Sequence, residues 1–142
     1  MHAIDELAAL KDKLRNSPED MVRMMKETFK ELAPVIEDLN TAQLGRGERA
    51  DGSKLPNYSP VSVSKFGKRP GPMTMFDRGD YWRGITLVVY DEGIDLEGRD
   101  IKSEMLELRY GGLTGLQEGS KEELEQGYLI PELDSKNKAR FQ

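Results

Sequence analysis

Between Asp77 and Tyr90 the spacing of the apolar residues changes from the pattern of a helix to that of a strand. Before this stretch they recur every three or four positions, as on one face of a helix, and from Ile85 onward they alternate or run together. The only tryptophan, Trp82, lies at the junction, where its large ring can anchor one layer on the other. The sequence therefore predicts an α+β fold, with a long N-terminal helix packed on a small antiparallel β-sheet and additional short helices.

Two helices are predicted in the N-terminal part of the chain. Residues 4–14 carry apolar side chains at spacings of three and four, which is typical of a short amphipathic helix. A longer helix should begin after Ser17, an N-cap residue followed by proline, and run to about Leu44. Pro34 should kink this helix near Lys30, because the proline ring clashes with the carbonyl four residues back. The inward stripe of the helix is expected to consist of Met21, Met25, Thr28, Leu32, Ile36 and Leu39.

The middle of the chain is predicted to form a short helix and a sheet. A serine-proline pair at Ser59 should open a helix that ends near Lys65. Residues 84–91 and 94–97 alternate in polarity around a Glu-Gly turn, which indicates an antiparallel hairpin with one buried face. We expect residues 73–76 to pair with this hairpin as a third strand.

Two further helices are predicted after the hairpin. Asp100 is a candidate N-cap for a helix over residues 101–110, which a pair of glycines should end. Ser120 should begin another helix through a capping box, and Gly127 should end it. In the first of these two helices we expect the side chains that face inward to be Met105, Leu108 and either Ile101 or Leu106.

The length of the chain, 142 residues, suits one domain. We assign residues 1–127 to a single α+β domain. Residues 128–133 are apolar but too few to fold alone, and the residues after them are polar. Residues 128–142 are therefore expected to form a C-terminal arm that contacts a neighbouring subunit.

Charge is distributed unevenly along the chain, whose net charge is −5. Residues 46–69 contain six basic and two acidic residues, a local charge of +4, whereas residues 91–134 contain thirteen acidic and four basic residues, a local charge of −9. Such a molecule suits head-to-tail contact with copies of itself, because one surface attracts the other. Two solvated surfaces without a special role would give the same pattern.

Composition argues against several classes of function. The chain has no cysteine and a single histidine, His2, which excludes disulfides, thiolate chemistry and zinc sites built from these residues. No apolar run has the roughly 20 residues of a membrane span, and the first residues lack the layout of a signal peptide. We therefore expect a soluble protein made in a cytoplasm, with no enzymatic activity, no cofactor, no metal and no membrane partner.

Three short motifs follow the predicted long helix. The first combines Ala50-Asp51-Gly52-Ser53-Lys54-Leu55-Pro56 with Tyr58-Ser59-Pro60, the second is Asp77-Arg78-Gly79-Asp80-Tyr81-Trp82-Arg83-Gly84-Ile85, and the third is Leu108-Arg109-Tyr110-Gly111-Gly112. In this order they resemble the phage virion-morphogenesis family, which includes tail-completion and head-tail joining proteins. Arg78 stands where that family usually has threonine or serine, and Gly84 stands where it usually has serine.

The resemblance implies a non-enzymatic, ring-forming part of a bacteriophage virion, which is a head-tail connector, a neck protein or a tail-completion (terminator) protein. Its partners would be copies of itself and other portal, neck or tail proteins, and the basic segment would face a neighbour or the packaged DNA. Two alternatives stay open, a DNA-binding protein and an assembly chaperone of phage origin. The residues that we predict at subunit contacts are Lys65, Lys68, Arg69, Glu122, Glu123, Tyr128, Leu129, Ile130 and Leu133.

Overall fold

A computed structural model describes residues 18–141 and confirms the α+β class. Helix α1 spans Pro18–Glu31 and helix α2 spans Ala33–Gly45. The helix predicted over residues 4–14 and the predicted cap at Ser17 lie outside the described residues. The two described helices occupy the range that the sequence assigned to one long helix.

The prediction of one long helix is not confirmed, because the structure divides it into two helices. The hydrogen bonds from Leu32 N–H to the Thr28 carbonyl and from Ile36 N–H to the Leu32 carbonyl continue the helical pattern across the break. The helix is interrupted at Leu32, whose backbone angles (φ −88°, ψ 1°) leave the helical range, and α2 begins with Pro34 in its first turn. Proline is tolerated at this position because its missing N–H would have no partner there, whereas in the middle of a helix its ring clashes with the preceding turn. The interruption lies within two residues of the predicted kink.

The predicted inward stripe packs into the core. Met21, Met25, Thr28 and Ile36 are buried, and the two leucines of the stripe are half-buried against the same core. Phe29, one position after Thr28, is buried as well. Removing these side chains from water is the main favourable term that holds α1 and α2 on the sheet.

The sheet in the described part of the chain has two antiparallel strands, β1 (Ile85–Val89) and β2 (Ile94–Gly98). Their core-facing residues are Ile85, Leu87, Ile94 and Leu96, as the alternation predicted. The predicted third strand is wrong, because residues 73–76 are not a strand. A carboxylate from α2 covers that edge instead: the Leu87 N–H donates to Glu37 Oε2 at 2.8 Å.

Two short helices precede the sheet. Helix α3 (Pro60–Phe66) begins as predicted at Ser59, whose Oγ accepts a hydrogen bond from the Ser62 N–H at 3.2 Å. Helix α4 (Asp80–Arg83) is a single turn that carries Trp82. The indole of Trp82 donates to the Thr74 carbonyl at 2.8 Å and lies close to Gly45, so it links the end of α2 to the segment before α4.

Three helical segments follow the sheet: α5 (Ser103–Tyr110), α6 (Glu118–Leu124) and α7 (Ile130–Phe141). A π-helical turn over Glu125–Leu129 joins α6 to α7, so the prediction that Gly127 ends the helix was wrong. Ile130 N–H donates to the carbonyl five residues back. The wider turn makes room for Pro131, which has no N–H and would clash with the preceding turn of a regular α-helix.

The extra residue in the π turn also aligns the buried leucines. Leu124, Leu129 and Leu133 follow at spacings of five and four, and all three are buried. A spacing of five would turn Leu129 away from Leu124 in a regular α-helix, but the π turn returns it to the same face. The apolar residues of this segment therefore continue the core.

The prediction of a separate C-terminal arm is wrong for Leu129 and Leu133, because these side chains are 0 % and 2 % exposed within their own chain. Helix α7 packs on α1, where Lys136 Nζ donates to Thr28 Oγ1 at 2.9 Å and lies 3.0 Å from Glu31 Oε2. This apolar segment, too short to fold alone, is stabilised by α1, which the local sequence does not reveal.

Candidate subunit interfaces

Helix α5 is held on the sheet by close backbone packing. Gly98 ends β2, and a Cβ atom there would lie 2.6 Å from Ser103 Oγ, so only glycine allows α5 to approach this closely. The loop after α2 holds the other end of α5, since Ala50 N–H donates to the Gly112 carbonyl at 2.8 Å. Arg49 Nε donates to the carbonyl of Tyr110 at 3.2 Å. The orientation of α5 is therefore set by Gly98 at one end and by the contacts of Arg49 and Ala50 at the other.

The inner side of α5 is partly polar. The Glu107 carboxylate accepts hydrogen bonds from the N–H groups of Gly112 (2.7 Å) and Leu113 (3.2 Å), which holds the chain that follows the helix against its last turn. Ser103 lies against the sheet, and Leu106 is the half-buried apolar residue that packs on the core. Of the inward-facing residues that the sequence predicted, Leu106 is the one that packs on the core.

The outer side of α5 is apolar and exposed. On this helix Met105 is 58 % and Leu108 83 % exposed, so the prediction that they face inward was wrong. Ile101, in the turn just before the helix, is 95 % exposed. Apolar residues lie on two sides of this helix, and a helix at the surface can bury only one of them in its own chain. That double pattern is the signal in the sequence from which an exposed face could have been expected.

Two charged residues flank this exposed face. Glu104 lies on one edge and Arg109 on the other, since they are displaced in opposite directions around the helix axis from the line through Met105 and Leu108. Glu104 forms no hydrogen bond or ion pair within the described part of the chain, and the Arg109 guanidinium lies over the Tyr110 ring at 5.4 Å. We call Ile101, Glu104, Met105, Leu108 and Arg109 the outer face of α5.

A groove of about 690 Å³ runs along the other side of α5. Helix α3 forms its opposite wall, where Phe66 is 71 % exposed. The aromatic and apolar side chains that line the groove include Tyr58, Phe66, Phe76, Tyr81, Leu106 and Tyr110.

One of these residues, Tyr81, has a shifted pKa. Burial of the phenol, and then the negative charge of Glu107, raise the pKa of Tyr81 to about 12.

The structure divides the predicted basic contact residues into two kinds. Lys65 and Arg69 are exposed and form no ion pair with any described residue. Lys68 is used within the chain: its Nζ donates to the Phe76 carbonyl at 2.9 Å and lies over the Tyr58 ring at 5.6 Å. Only Lys65 and Arg69 of these three are therefore available to a partner without breaking internal contacts.

Other charges of the basic segment are also internally paired. Arg46 Nε donates to Glu48 Oε1 at 2.6 Å, and Lys54 Nζ lies 3.7 Å from Glu48 Oε2. The hydrogen bond from Arg46 is the main cause that lowers the pKa of Glu48, and Gln117 and Lys54 add to it. Arg46 and Lys54 are therefore engaged within the segment and are not free to contact a partner.

The predicted acidic and apolar contact residues also divide into exposed residues and core residues. Glu122 and Glu123 on α6 are exposed and form no ion pair with the described residues. Tyr128 is exposed and Ile130 is half-buried, whereas the two leucines of this group belong to the core. No described contact joins Lys65, Lys68 or Arg69 to Glu122 or Glu123 in the same chain.

Two buried amides on α2, which sequence reasoning missed, clamp the loop between α5 and α6. Asn40 Nδ2 donates to the Leu113 carbonyl at 3.0 Å and its Oδ1 accepts from the Gly115 N–H at 2.7 Å. Gln43 Nε2 donates to the Gly115 carbonyl at 2.9 Å and its Oε1 accepts from the Gln117 N–H at 2.8 Å. These two side chains, which we call the amide clamp, position α6 and its acidic residues.

Among residues 18–141 no three histidine, cysteine, aspartate or glutamate side chains converge on a possible metal site. Within the same residues no helix combines the length and apolarity that crossing a bilayer requires. Comparisons with models of known protein families, with curated protein sequences and with solved structures give no match.

Proposed function

We propose that this chain is a non-enzymatic structural component of a bacteriophage virion, a ring-forming head-tail connector, neck or tail-completion protein. Its partners in this proposal are further copies of itself and neighbouring portal, neck or tail proteins. It is made in the cytoplasm of the host bacterium and acts in the assembled particle. The proposal gives it no cofactor.

The observation that carries the proposal is the order of the three sequence motifs, which resembles that of the virion-morphogenesis family. The fold uses each motif where the chain changes direction. In the first motif, Asp51 Oδ1 accepts a hydrogen bond from the Ser53 N–H at 2.8 Å and Ser59 caps α3. In the second, Gly79 has a φ of 85° just before α4. In the third, the Gly112 carbonyl accepts a hydrogen bond from Ala50 N–H in the loop after α2. The motif residues therefore act by holding the chain in shape.

Ring formation is supported by the exposed charges that have no partner in the described part of the chain. Lys65 and Arg69 are on α3 and the segment after it, whereas Glu122 and Glu123 are on α6. A heterologous contact between the basic residues of one subunit and the acidic residues of the next repeats around a closed ring. Each contact satisfies charges that the isolated subunit leaves to solvent.

Native mass spectrometry of the full chain tests this arrangement. We expect a closed oligomer, and we expect Lys65→Glu/Arg69→Glu to weaken it at least about tenfold, because acidic residues would then face acidic residues. Adding Glu122→Lys/Glu123→Lys should restore the oligomer. The matched control is Lys30→Glu/Lys138→Glu, which changes two exposed and unpaired lysines elsewhere and alters the net charge equally. A monomer at all concentrations would contradict the ring contact. An equal loss of oligomer in Lys65→Glu/Arg69→Glu and in the control Lys30→Glu/Lys138→Glu would contradict it as well.

Localisation in particles tests the virion role. Gold-labelled antibody against the chain should bind purified particles at the head-tail junction or at the end of the tail. Presence in assembly intermediates but absence from finished particles would favour the chaperone alternative. Salt-sensitive binding of the isolated monomer to duplex DNA, with no label on particles, would favour the DNA-binding alternative.

A further inference from the structure

The outer face of α5 has the pattern of a helix that pairs with another helix. Met105 and Leu108 on α5 are spaced by three residues, which corresponds to the a and d positions of a heptad, and Ile101 lies in the turn two residues before the helix begins. All three are exposed, and no described residue of the chain covers them. An apolar stripe of this spacing is stabilised when a second helix buries it.

The flanking charges occupy the positions that determine partner specificity and orientation in such helix pairs. With Met105 at position a, Glu104 is at position g and Arg109 is at position e of the next heptad. The g and e positions of parallel helix pairs form the ion pairs between the two helices. Both charges are free to do so, because neither forms an ion pair in the described part of the chain.

We propose that the outer face of α5 binds the same face of a second copy of this chain, with the two α5 helices parallel and related by a two-fold axis. Met105 and Leu108 of one copy then pack on Met105 and Leu108 of the other. Glu104 of each copy pairs with Arg109 of the other, so the charge pattern complements itself. The proposal concerns the free protein and does not depend on a role in phage particles.

The charges favour the parallel over the antiparallel arrangement. A two-fold axis perpendicular to the helices would place position g opposite position g and position e opposite position e, so that Glu104 faces Glu104 and Arg109 faces Arg109. Like charges at such positions are destabilising. In the parallel arrangement both edges of the contact carry opposite charges.

The contact should be weak by itself. A standard-sized interface involves roughly 20 to 30 residues from each partner, and the outer face of α5 offers five. Pairing is therefore expected at protein concentrations on the order of 0.1 to 1 mM, which is the range of small and transient interfaces. A method that captures transient contacts covalently is the appropriate test.

Cysteine cross-linking provides that test because the chain has no natural cysteine. Under mild oxidation Leu108→Cys should form a disulfide dimer severalfold more efficiently than Ser135→Cys, a control at an exposed position of α7. A disulfide requires the two Cα atoms to come within about 7 Å, so only residues that meet across the contact cross-link well. An equal yield for both variants would overturn the proposal. Protection of the thiol introduced by Leu108→Cys from a soluble maleimide, in a monomer whose residues 1–17 cover it, would overturn it as well.

The direction of pairing is tested by mixing two further variants. An equal mixture of Glu104→Cys and Arg109→Cys should yield more than about twice as much of the mixed disulfide as of either self-linked dimer, which is the ratio that random pairing gives. Predominance of the self-linked dimers would show antiparallel pairing and would overturn the proposal.

Charge reversal in the Leu108→Cys background gives an independent readout. Glu104→Arg or Arg109→Glu alone should lower the dimer yield severalfold, and the double variant should restore it, because opposite charges then meet again. Thermal unfolding of each variant controls for folding. Lack of rescue in folded double variants would contradict the predicted ion pairs.

Discussion

The amide clamp and the outer face of α5 reverse the usual distribution of polar and apolar residues. Asn40 and Gln43 are polar and 0 % exposed, whereas Ile101 and Leu108 are apolar and almost fully exposed. In the clamp each amide donates one hydrogen bond to a loop carbonyl and accepts one from a loop N–H, so burial costs little. The face of α5 has no such complement within the described part of its own chain. Available partners, more than polarity alone, decide which side chains this fold buries.

The largest effect is expected from breaking the clamp with Asn40→Ala. The substitution leaves the Leu113 carbonyl and the Gly115 N–H without the Asn40 side chain as a partner. Each lost partner costs about 1 to 3 kcal/mol, so the free energy of unfolding should fall by about 2 to 6 kcal/mol. Denaturant unfolding measures this. The control is Thr41→Ala, which removes a partly exposed hydroxyl whose bond goes to a carbonyl three residues back on the same helix. Equal small losses in both variants would show that the clamp is dispensable.

A smaller effect is expected from the pKa of Tyr81 beneath α5. Because burial raises the pKa of Tyr81 from 10.0 in the unfolded chain to about 12, its contribution to stability is fully present below pH 10. That contribution is lost as the pH rises from 10 through 12, since the unfolded chain releases the phenol proton first. Tyr81→Phe should therefore lose less stability than the wild type between about pH 10 and pH 12 in denaturant titrations. Parallel pH profiles for the two proteins would contradict the burial argument.

The smallest effect is expected at the outer face of α5. Leu108→Gln should change the free energy of unfolding by no more than about 0.5 kcal/mol, because the side chain is already in water. Leu113→Ala, five residues on at a buried position next to the clamp, should cost about 2 to 5 kcal/mol. A large loss for Leu108→Gln at low protein concentration would mean that this side chain is covered within its own chain.

Local patterns predicted the elements whose stability is local. Ser59 was expected to cap α3 because its hydroxyl reaches an N–H three residues away, and it does. The alternation in the hairpin correctly identified Ile85 and Leu87 as core residues. Successive side chains of a strand point to opposite faces, so covering one face buries every second residue.

Patterns that depend on distant neighbours were misjudged. The Leu87 N–H at the edge of the sheet, where a third strand was expected, donates its hydrogen bond to Glu37 on α2. The sequence showed that α5 is apolar on two sides, but the contacts of Ser103 and Glu107 decided which side faces the chain. Among the candidate contact residues, Lys65, Arg69, Glu122 and Glu123 are exposed, whereas Lys68, Leu129 and Leu133 are used internally.

The amino-acid sequence by itself determined the class of fold, the hairpin, the cap of α3 and the segregation of charge, because each depends on spacings within a few residues. Tertiary structure decided that Asn40 is buried, that Leu129 and Leu133 complete the core, and that Leu108 is exposed. The physical reason is that burial is a property of pairs. The buried amide of Asn40 depends on hydrogen-bonding groups in a loop some 70 residues away. Whether an apolar face of a helix is buried or exposed depends on which side the rest of the chain packs against.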